Sequence, residues 1–279
     1  MISCAAHRRL GQTATKSYNR WMNTTAYRLP SRCWVILPWL FVACSISDKT
    51  DVSEDVEETP AAKLVARSVE FHDPNGVWGN RQLGMSWAGT NSEGEERVAV
   101  NFSFGVDQSE FMLSGRYAGS TIEYQVSGSE WSATVDGQDD LSRETMERMR
   151  LHRENGVFWR SYYGFLAGIP MKIRDPGAYL DPEVTATTFE GREVHAVRLT
   201  YEPMVGGDTW YFYFEPSTAE LVGCRFYHDE SINDGEYLVF EGLTLSQDGL
   251  RIPRKRSWYM NIDSRFLGSD EIDGLRVGP

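Results

Sequence analysis

The sequence predicts a mainly β protein of the α+β class, built as a single curved antiparallel sheet, or half-open β-barrel, wrapped around a central helical segment. Short runs of alternating apolar and polar residues recur between residues 83 and 262, and such runs are typical of strands buried on one face. The interruption at residues 158–177 reads FWRSYYGFLAGIPMKIRDPG, which predicts an aromatic helix that stops at Gly168 and Pro170. Apolar residues make up 41% of the 279 residues, enough to bury a sizeable core.

The first part of the chain is typical of an export signal rather than of folded structure. Residues 1–21 are basic and patternless, and we expect them to be an upstream over-read of the start codon. Residues 22–43 predict a lipoprotein signal peptide, because arginines precede an apolar run that is shorter than the ~20 residues needed to span a bilayer. The run ends in FVAC, which resembles a lipobox, so we expect Cys44 to carry acyl chains. A short buried helix is the alternative interpretation.

The segment from Cys44 onward predicts an acidic, flexible tether over residues 44–60. Residues 48–59 read DKTDVSEDVEET, with too few bulky apolar side chains to order themselves. Ser45 stands where an aspartate would resemble an inner-membrane retention signal, which favours the outer membrane. We therefore expect a lipid-anchored protein of the cell envelope that faces the periplasm, with surface exposure left open.

The folded body is expected to begin with a helix and to continue as strands. Thr59 and Pro60 form a helix start, as N-cap and first helical residue. His72 lies on the apolar stripe of this helix, where packing or capping is the usual role of a histidine. Strands of the first half are expected near residues 83–88, 98–104, 122–126 and 131–135.

The second half of the body has the same character. Ser142 can cap a helical region that leads into the aromatic helix. The run TWYFYF at residues 209–214 is aromatic at every position after Thr209. Both faces of such a strand are aromatic, which predicts a strand covered on both faces. Other alternating runs follow it. We expect one domain over residues 61–268 and a C-terminal tail at residues 269–279, with no second domain boundary.

Charge and cysteine content exclude several kinds of site and partner. The formal net charge is −12, although residues 1–43 hold only basic charges, so the body is strongly acidic and nucleic acid is not an expected partner. Cys224 has no cysteine neighbour in the body and is expected to be a buried thiol. We expect no metal and no cofactor, since the sequence has no His-x-x-x-His pair and no phosphate-loop, dinucleotide or nucleophile-elbow motif.

The candidate binding surface is the concave face between the aromatic helix and the sheet, because a one-sided sheet curved around a helix often leaves a cleft. The residues expected to line it are Trp159, Tyr162, Tyr163, Phe165, Met171, Trp210, His195 and His228. The residues expected at its mouth are Lys172, Asp175 and Asp208. The alternatives are ordinary core packing for the aromatic residues, buried neutral imidazoles for the histidines, and structural salt bridges or caps for the charged residues.

Two segments carry a resemblance to a known family. They are YYGFLAGIPMKIRDPG at residues 162–177 and GGDTWYFYFEPSTAEL at residues 206–221. Together they resemble an uncharacterised, Bacteroidetes-type family of Gram-negative outer-membrane lipoproteins with a domain of unknown function, over most of residues 61–265. The resemblance transfers no catalytic residue, because that family has no assigned activity. Its shape is similar to that of the lipoprotein carriers LolA and LolB, half-open barrels whose concave face binds acyl chains.

These features favour a membrane-anchored lipoprotein that binds or carries an apolar or amphipathic molecule in the concave face. Its expected partners are that molecule and the membrane, with protein partners left open. A structural or partner-docking lipoprotein is one alternative, and it predicts a filled concave side with an exposed apolar patch elsewhere. A hydrolase or lyase is the other, and it predicts His195 or His228 within hydrogen-bond reach of a carboxylate or hydroxyl group.

Overall fold

A computed structural model describes residues 58–203 and 206–278, apart from the side chains of residues 154 and 155. The expected upstream segment, signal peptide, acylated Cys44 and most of the tether lie outside the described residues. Within this part of the chain, thirteen strands form one antiparallel sheet, which confirms the expected fold class. The strands are β1 (Leu83–Asn91), β2 (Glu96–Phe104), β3 (Glu110–Tyr117), β4 (Ser120–Ser127), β5 (Glu130–Val135), β6 (Ala178–Leu180), β7 (Thr185–Phe189), β8 (Arg192–Tyr201), β9 (Thr209–Phe214), β10 (Leu221–Asp229), β11 (Asp234–Leu245), β12 (Arg251–Met260) and β13 (Phe266–Val277).

Three α-helices accompany the sheet in the described part of the chain. They are α1 (Pro60–His72), α2 (Arg143–Arg148) and α3 (Phe158–Gly168), and a 3₁₀ turn (Met171–Arg174) follows α3. Two of the predicted caps are present, because Thr59 Oγ1 accepts from the N–H of Ala62 and Ser142 Oγ accepts from the N–H of Thr145, each over 3.2 Å. None of these helices has the length and apolarity that a membrane crossing requires.

The sheet consists of two meanders joined by the last strand. The strand order is β5-β4-β3-β2-β1-β13-β12-β11-β10-β9-β8-β6, and β7 pairs with β8 beside β6. β13 therefore lies at the centre, hydrogen-bonded to β1 on one side and to β12 on the other. The prediction of a C-terminal tail at residues 269–279 is wrong, because nearly all of these residues belong to β13.

The first meander is covered on one face only. In β4 the burial of side chains alternates strictly, with Ile122, Tyr124 and Val126 buried and Glu123 and Gln125 exposed. The buried side chains face α3, and the exposed ones form the outer face of the sheet. This one-sided burial is the reason that alternation was a reliable signal in this half.

The second meander is covered on both faces. β7 folds Phe189 onto the outer face, where its ring stacks on Tyr213 with centroids 4.1 Å apart and meets the edge of Tyr237 at 5.9 Å. On the inner face of the same strand β9, Phe212 and Phe214 are fully buried. The prediction that the strand at residues 209–214 is covered on both sides is confirmed.

Candidate functional site

Tyr163 is the centre of the contact between α3 and the first meander. Its ring stacks on Phe102 with centroids 4.5 Å apart and meets the edge of Trp87 at 5.3 Å. Trp159 stacks on Tyr163 at 5.7 Å, and its indole N–H donates to the carbonyl of Met149 over 3.0 Å. Each such ring pair adds ~0.5–1.5 kcal/mol beyond the burial of its area, so α3 is well attached to this half of the sheet.

Phe165 makes the corresponding contact with the second meander. Its ring meets Trp210 edge to face with centroids 5.0 Å apart, and Trp210 stacks in turn on Phe226 at 4.7 Å. Positions 163 and 165 point about 200° apart around a helix. Opposite sides of α3 therefore face the two halves of the curved sheet, and the helix fills the space between them.

The structure brings five of the predicted lining residues into one packed cluster: Trp159, Tyr162, Tyr163, Phe165 and Trp210. All but the half-buried Phe165 are at most 4% exposed. Met171 is half-buried on the 3₁₀ turn and packs against the same core. In this conformation α3 itself occupies the concave face.

Arg256 places a guanidinium group inside this aromatic core. It is fully buried, lies 4.7 Å from the ring centroid of Trp87, and donates to the carbonyls of Leu166 at 3.1 Å and Pro253 at 2.7 Å. Leu166 is in the last turn of α3, where a cation favours the helix dipole. Burial lowers the pKa of Arg256 to about 10 against the opposing charge of Asp270, so the group stays charged at neutral pH.

Asp270 on β13 is a buried carboxylate whose charge acts on Arg256, and the two residues lie opposite each other in the pairing of β12 with β13. It accepts from the indole N–H of Trp258 over 2.8 Å and from Arg97 over 2.5 Å. Gly89 leaves room for it, since a Cβ atom there would lie 2.3 Å from Asp270 Oδ1. Breaking a buried pair of this kind leaves a charge uncompensated, at a cost of ~3–5 kcal/mol.

Asp208 and His228 form a second buried pair, at one end of the concave face. Asp208 Oδ1 lies 2.8 Å from Nδ1 of His228, and the two side chains are 10% and 2% exposed. Burial opposes ionisation of the His228 imidazole, but the hydrogen bond with Asp208 and the nearby Asp234 and Glu236 outweigh it, so the pKa of His228 is raised. The imidazolium form is thereby favoured.

The other two predicted mouth residues, Lys172 and Asp175, form an ion pair with each other within the turn that follows α3, as the structural alternative for these residues predicts. Burial raises the pKa of the Tyr201 phenol, and the charges of Asp175 and Asp208 raise it further. The charges of Asp175 and Asp208 therefore both act on the same phenol.

His195 does not join this group. It is half-buried on β8 and lies opposite Phe214, the last residue of β9, whereas Asp208 immediately precedes the first residue of β9. The length of that strand, roughly 20 Å at ~3.3 Å per residue, separates the two histidines. The structure thus assigns His195 and His228 to opposite ends of the sheet.

Sequence reasoning missed Arg256 and the pairing of Asp208 with His228. Arg256 lies in the basic run Arg254-Lys255-Arg256. Neighbours in a strand face opposite ways, which is the available signal that one residue of this run points inward. The Asp208–His228 pair depends on the register of β9 with β10, which the sequence does not specify.

Two further features concern other kinds of site. Among the described residues, no three His, Cys, Asp or Glu side chains are placed to hold a metal ion. A groove of about 1040 Å³ lies on the outer face of the first meander, away from α3. Its lining includes the short polar side chains of Asn101, Ser103, Ser114, Gln125, Ser132 and Thr134.

Comparisons with known proteins confirm the resemblance to a family without an assigned activity. Residues 40–273 match the model of DUF6503, a family of unknown function, and curated protein sequences give no match. The fold is similar to that of a LolA superfamily protein from Nitrosomonas europaea, with TM-score 0.47 and 9% identity over 78% of this chain and 94% of that one. It is also similar to a DUF1329 family protein from Desulfovibrio piger, with TM-score 0.44 and 10% identity over 78% and 93%. At these values the likeness carries no argument about ligands or partners.

Proposed function

The chain belongs to the DUF6503 family, and we propose that it binds an apolar or amphipathic small molecule on the concave face of the sheet, in the place that α3 occupies. One observation supports the proposal above the others: an aromatic helix fills an open curved sheet and is attached there through a buried guanidinium, Arg256. A permanently closed core does not need that charge, because well-packed apolar residues in place of buried charges often leave stability unchanged or higher.

Exchange of helix for ligand is energetically reasonable because the two surfaces are alike. The rings of Trp87, Phe102 and Trp210 lose contact with α3 when the helix moves away, but a bound apolar chain covers them again and restores the burial. The directional contacts that have to break include the hydrogen bond from Arg256 to Leu166 and the hydrogen bonds from Arg160 of α3 to the carbonyls of Ser109 and Gly128. A hydrogen bond from a charged donor contributes ~1.5–3 kcal/mol. The free energy of ligand binding can offset the loss of this amount.

The proposal includes the setting expected from the sequence. Acyl chains on Cys44 and an acidic tether would hold the domain at the outer membrane, where apolar and amphipathic molecules are abundant. Lipid chains add ~0.8 kcal/mol per buried CH₂, so an anchor with several chains is stable. Mass spectrometry of the protein isolated from its own host would detect the added acyl mass on a peptide that begins at Cys44.

Binding is tested on the whole protein with native mass spectrometry and with 1-N-phenylnaphthylamine, a dye that fluoresces in apolar surroundings. Arg256→Met removes the bond to Leu166, and Arg254→Met is the matched control, since Arg254 is exposed and pairs with Glu271. We expect Arg256→Met to bind the dye about 10-fold more tightly, because tenfold corresponds to ~1.4 kcal/mol of the released hydrogen bond. Arg254→Met is expected to match the wild type. Host-purified protein that is always empty, together with no dye binding by any of the three proteins, overturns the proposal.

The hydrolase or lyase reading is the second candidate, favoured by one observation. His228 lies within hydrogen-bond reach of the carboxylate of Asp208, as a positioned general base requires. Its side chain is only 2% exposed, so a substrate would have to enter through the same displacement of α3. A His228→Gln variant that lowers the turnover of model esters, with 1-N-phenylnaphthylamine binding unchanged, would support catalysis over simple binding.

A further inference from the structure

Asp208 has one carboxylate oxygen that the described residues leave without a hydrogen bond. Oδ1 is 2.8 Å from Nδ1 of His228, whereas Oδ2 is buried and has no hydrogen-bond partner in the described part of the chain. A buried acceptor without a donor costs ~1–3 kcal/mol, and more when it is charged. A donor that binds Oδ2 therefore has to come from outside the described residues.

This oxygen lies where the aromatic surface of the concave face ends. Asp208 immediately precedes β9, and Trp210 lies two residues further along the chain, where its ring stacks on Phe226 and meets Phe165 of α3. The ring of His228 meets the edge of Phe226 at 5.5 Å. A molecule whose apolar part lay against Trp210 and Phe226, in the place of α3, would thus bring its polar end to Asp208.

The charges at this end select the sign of that polar group. Acidic side chains outnumber basic ones among the groups that act on His228 and Tyr201 or pair with them. The acidic groups are Asp175, Asp208, Asp234 and Glu236, and the basic groups are His228 and Lys172. Lys172 is already paired with Asp175. A phosphate or carboxylate headgroup is repelled here, and a cation is attracted.

We propose that Asp208 Oδ2 accepts a hydrogen bond from the primary ammonium group of an amphipathic ligand, whose apolar chain lies against Trp210 and Phe226. This assignment rests on the proposed function and names the chemical class of the ligand. His228 holds Oδ1 and so orients the carboxylate, which directs Oδ2 at the headgroup. The ligand class is an aliphatic primary amine, because an ammonium supplies both the charge and the N–H donor.

The test compares four ligands with the same dodecyl chain, each titrated by tryptophan fluorescence and calorimetry below its critical micelle concentration or, for dodecanol, below its solubility limit. Dodecylamine carries charge and donors, dodecyltrimethylammonium carries charge alone, dodecanol carries a neutral donor, and dodecanoate carries the opposite charge. We expect dodecylamine to bind at least 10-fold more tightly than each of the other three. Asp208→Asn is expected to remove that preference and to leave the affinity for dodecanol within about 2-fold of the wild type.

Asp234→Asn is the matched control, because it removes the same charge from a half-buried neighbour of the pair and keeps Asp208. It is expected to retain the preference for dodecylamine. Equal binding of dodecylamine and dodecanol by the wild type overturns the headgroup assignment and leaves the proposed function standing. Binding of none of the four ligands overturns both. The wild-type series decides the matter even where Asp208→Asn fails to fold.

Discussion

The backbone N–H of Leu221 donates a hydrogen bond to Nε2 of His72 over 3.0 Å, while Nδ1 of the same ring lies 2.8 Å from the carbonyl of Arg251. Only a neutral ring with its proton on Nδ1 satisfies both contacts. Burial lowers the pKa of His72 from 6.5 to about 4; the carbonyl of Arg251 opposes the shift and the charge of Arg251 adds to it. His72 is thus a packed residue that joins α1 to β10 and β12, as its place on the helix stripe predicted.

This histidine makes the folded state sensitive to acid. Between pH 6.5 and about 4 the unfolded chain binds a proton at His72 that the folded chain does not. The contribution of neutral His72 to the free energy of unfolding is therefore complete above pH 6.5 and is lost as the pH falls towards 4. The full shift corresponds to about 3 kcal/mol. We expect urea unfolding to show this loss in the wild type, and His72→Gln, which can keep one donor and one acceptor, to show a flatter profile from pH 7 to 4.5. Equal slopes for the two proteins would contradict the assignment.

His228 has the opposite dependence on pH. Its pKa is raised in the folded state, so its contribution is complete below the unfolded pKa near 6.5 and is lost as the pH rises through the folded value. We expect His228→Gln to lower the melting temperature more at pH 6 than at pH 9. His195→Gln serves as control, because that ring lies at the other end of the sheet. A His228→Gln deficit that grows towards high pH would show that the ring is held in its neutral form.

Asp270 is the position at which loss of a single charge should be most damaging. The carboxylate is 1% exposed and holds Arg97 and the Trp258 indole. Asp270→Asn keeps the shape but leaves the buried Arg256 and the half-buried Arg97 without their counter-charge, so we expect a loss of about 3 kcal/mol in the free energy of unfolding. Chemical denaturation measures it. Asp273→Asn, at an exposed position on the same strand, is expected to change stability by less than ~0.5 kcal/mol.

Phe189 should be the main attachment of β7 to the outer face. Its ring is 4% exposed, stacks on Tyr213 and passes over Gly223, where a Cβ atom would lie 2.3 Å from the ring. We expect Phe189→Ala to cost about 3 kcal/mol, the usual scale for truncation of a buried phenylalanine. Ile232→Ala, at a side chain 64% exposed, is the control. Similar unfolding midpoints for the two variants would show that β7 adds little to the stability of the sheet.

Strands that alternate strictly between apolar and polar residues could be predicted from the sequence. β3 and β13, in which this alternation is broken, could not. β4 alternates without exception and was found. β3 was missed because Met112, 60% exposed, lies between Phe111 and Leu113, so its two faces look alike in the sequence. In place of β13 the sequence predicts a tail, because Asp270 is a buried carboxylate whose partners Arg97 and Trp258 come from other strands.

Part of the candidate site could also be predicted from the sequence, and part could not. The aromatic cluster of α3 was predicted because helical spacing and ring content are local signals. The partners of the charged residues were not, because they depend on contacts between distant segments: Arg256 reaches Leu166, ninety positions earlier, and His228 reaches Asp208 across a strand pair. Burial of a charge depends on such tertiary contacts, and alternation shows only which side a residue faces.

The central position of β13 has a consequence for the order of assembly. While the protein is being synthesised, β1 and β12 each present an unsealed row of backbone donors and acceptors, and unpaired edges of this kind invite association between chains. The two meanders can pair into one sheet only after residues 266–277, which form β13, have left the ribosome. The nascent chain is therefore expected to depend on protection until its final strand is complete, and truncations before residue 266 should accumulate as aggregates.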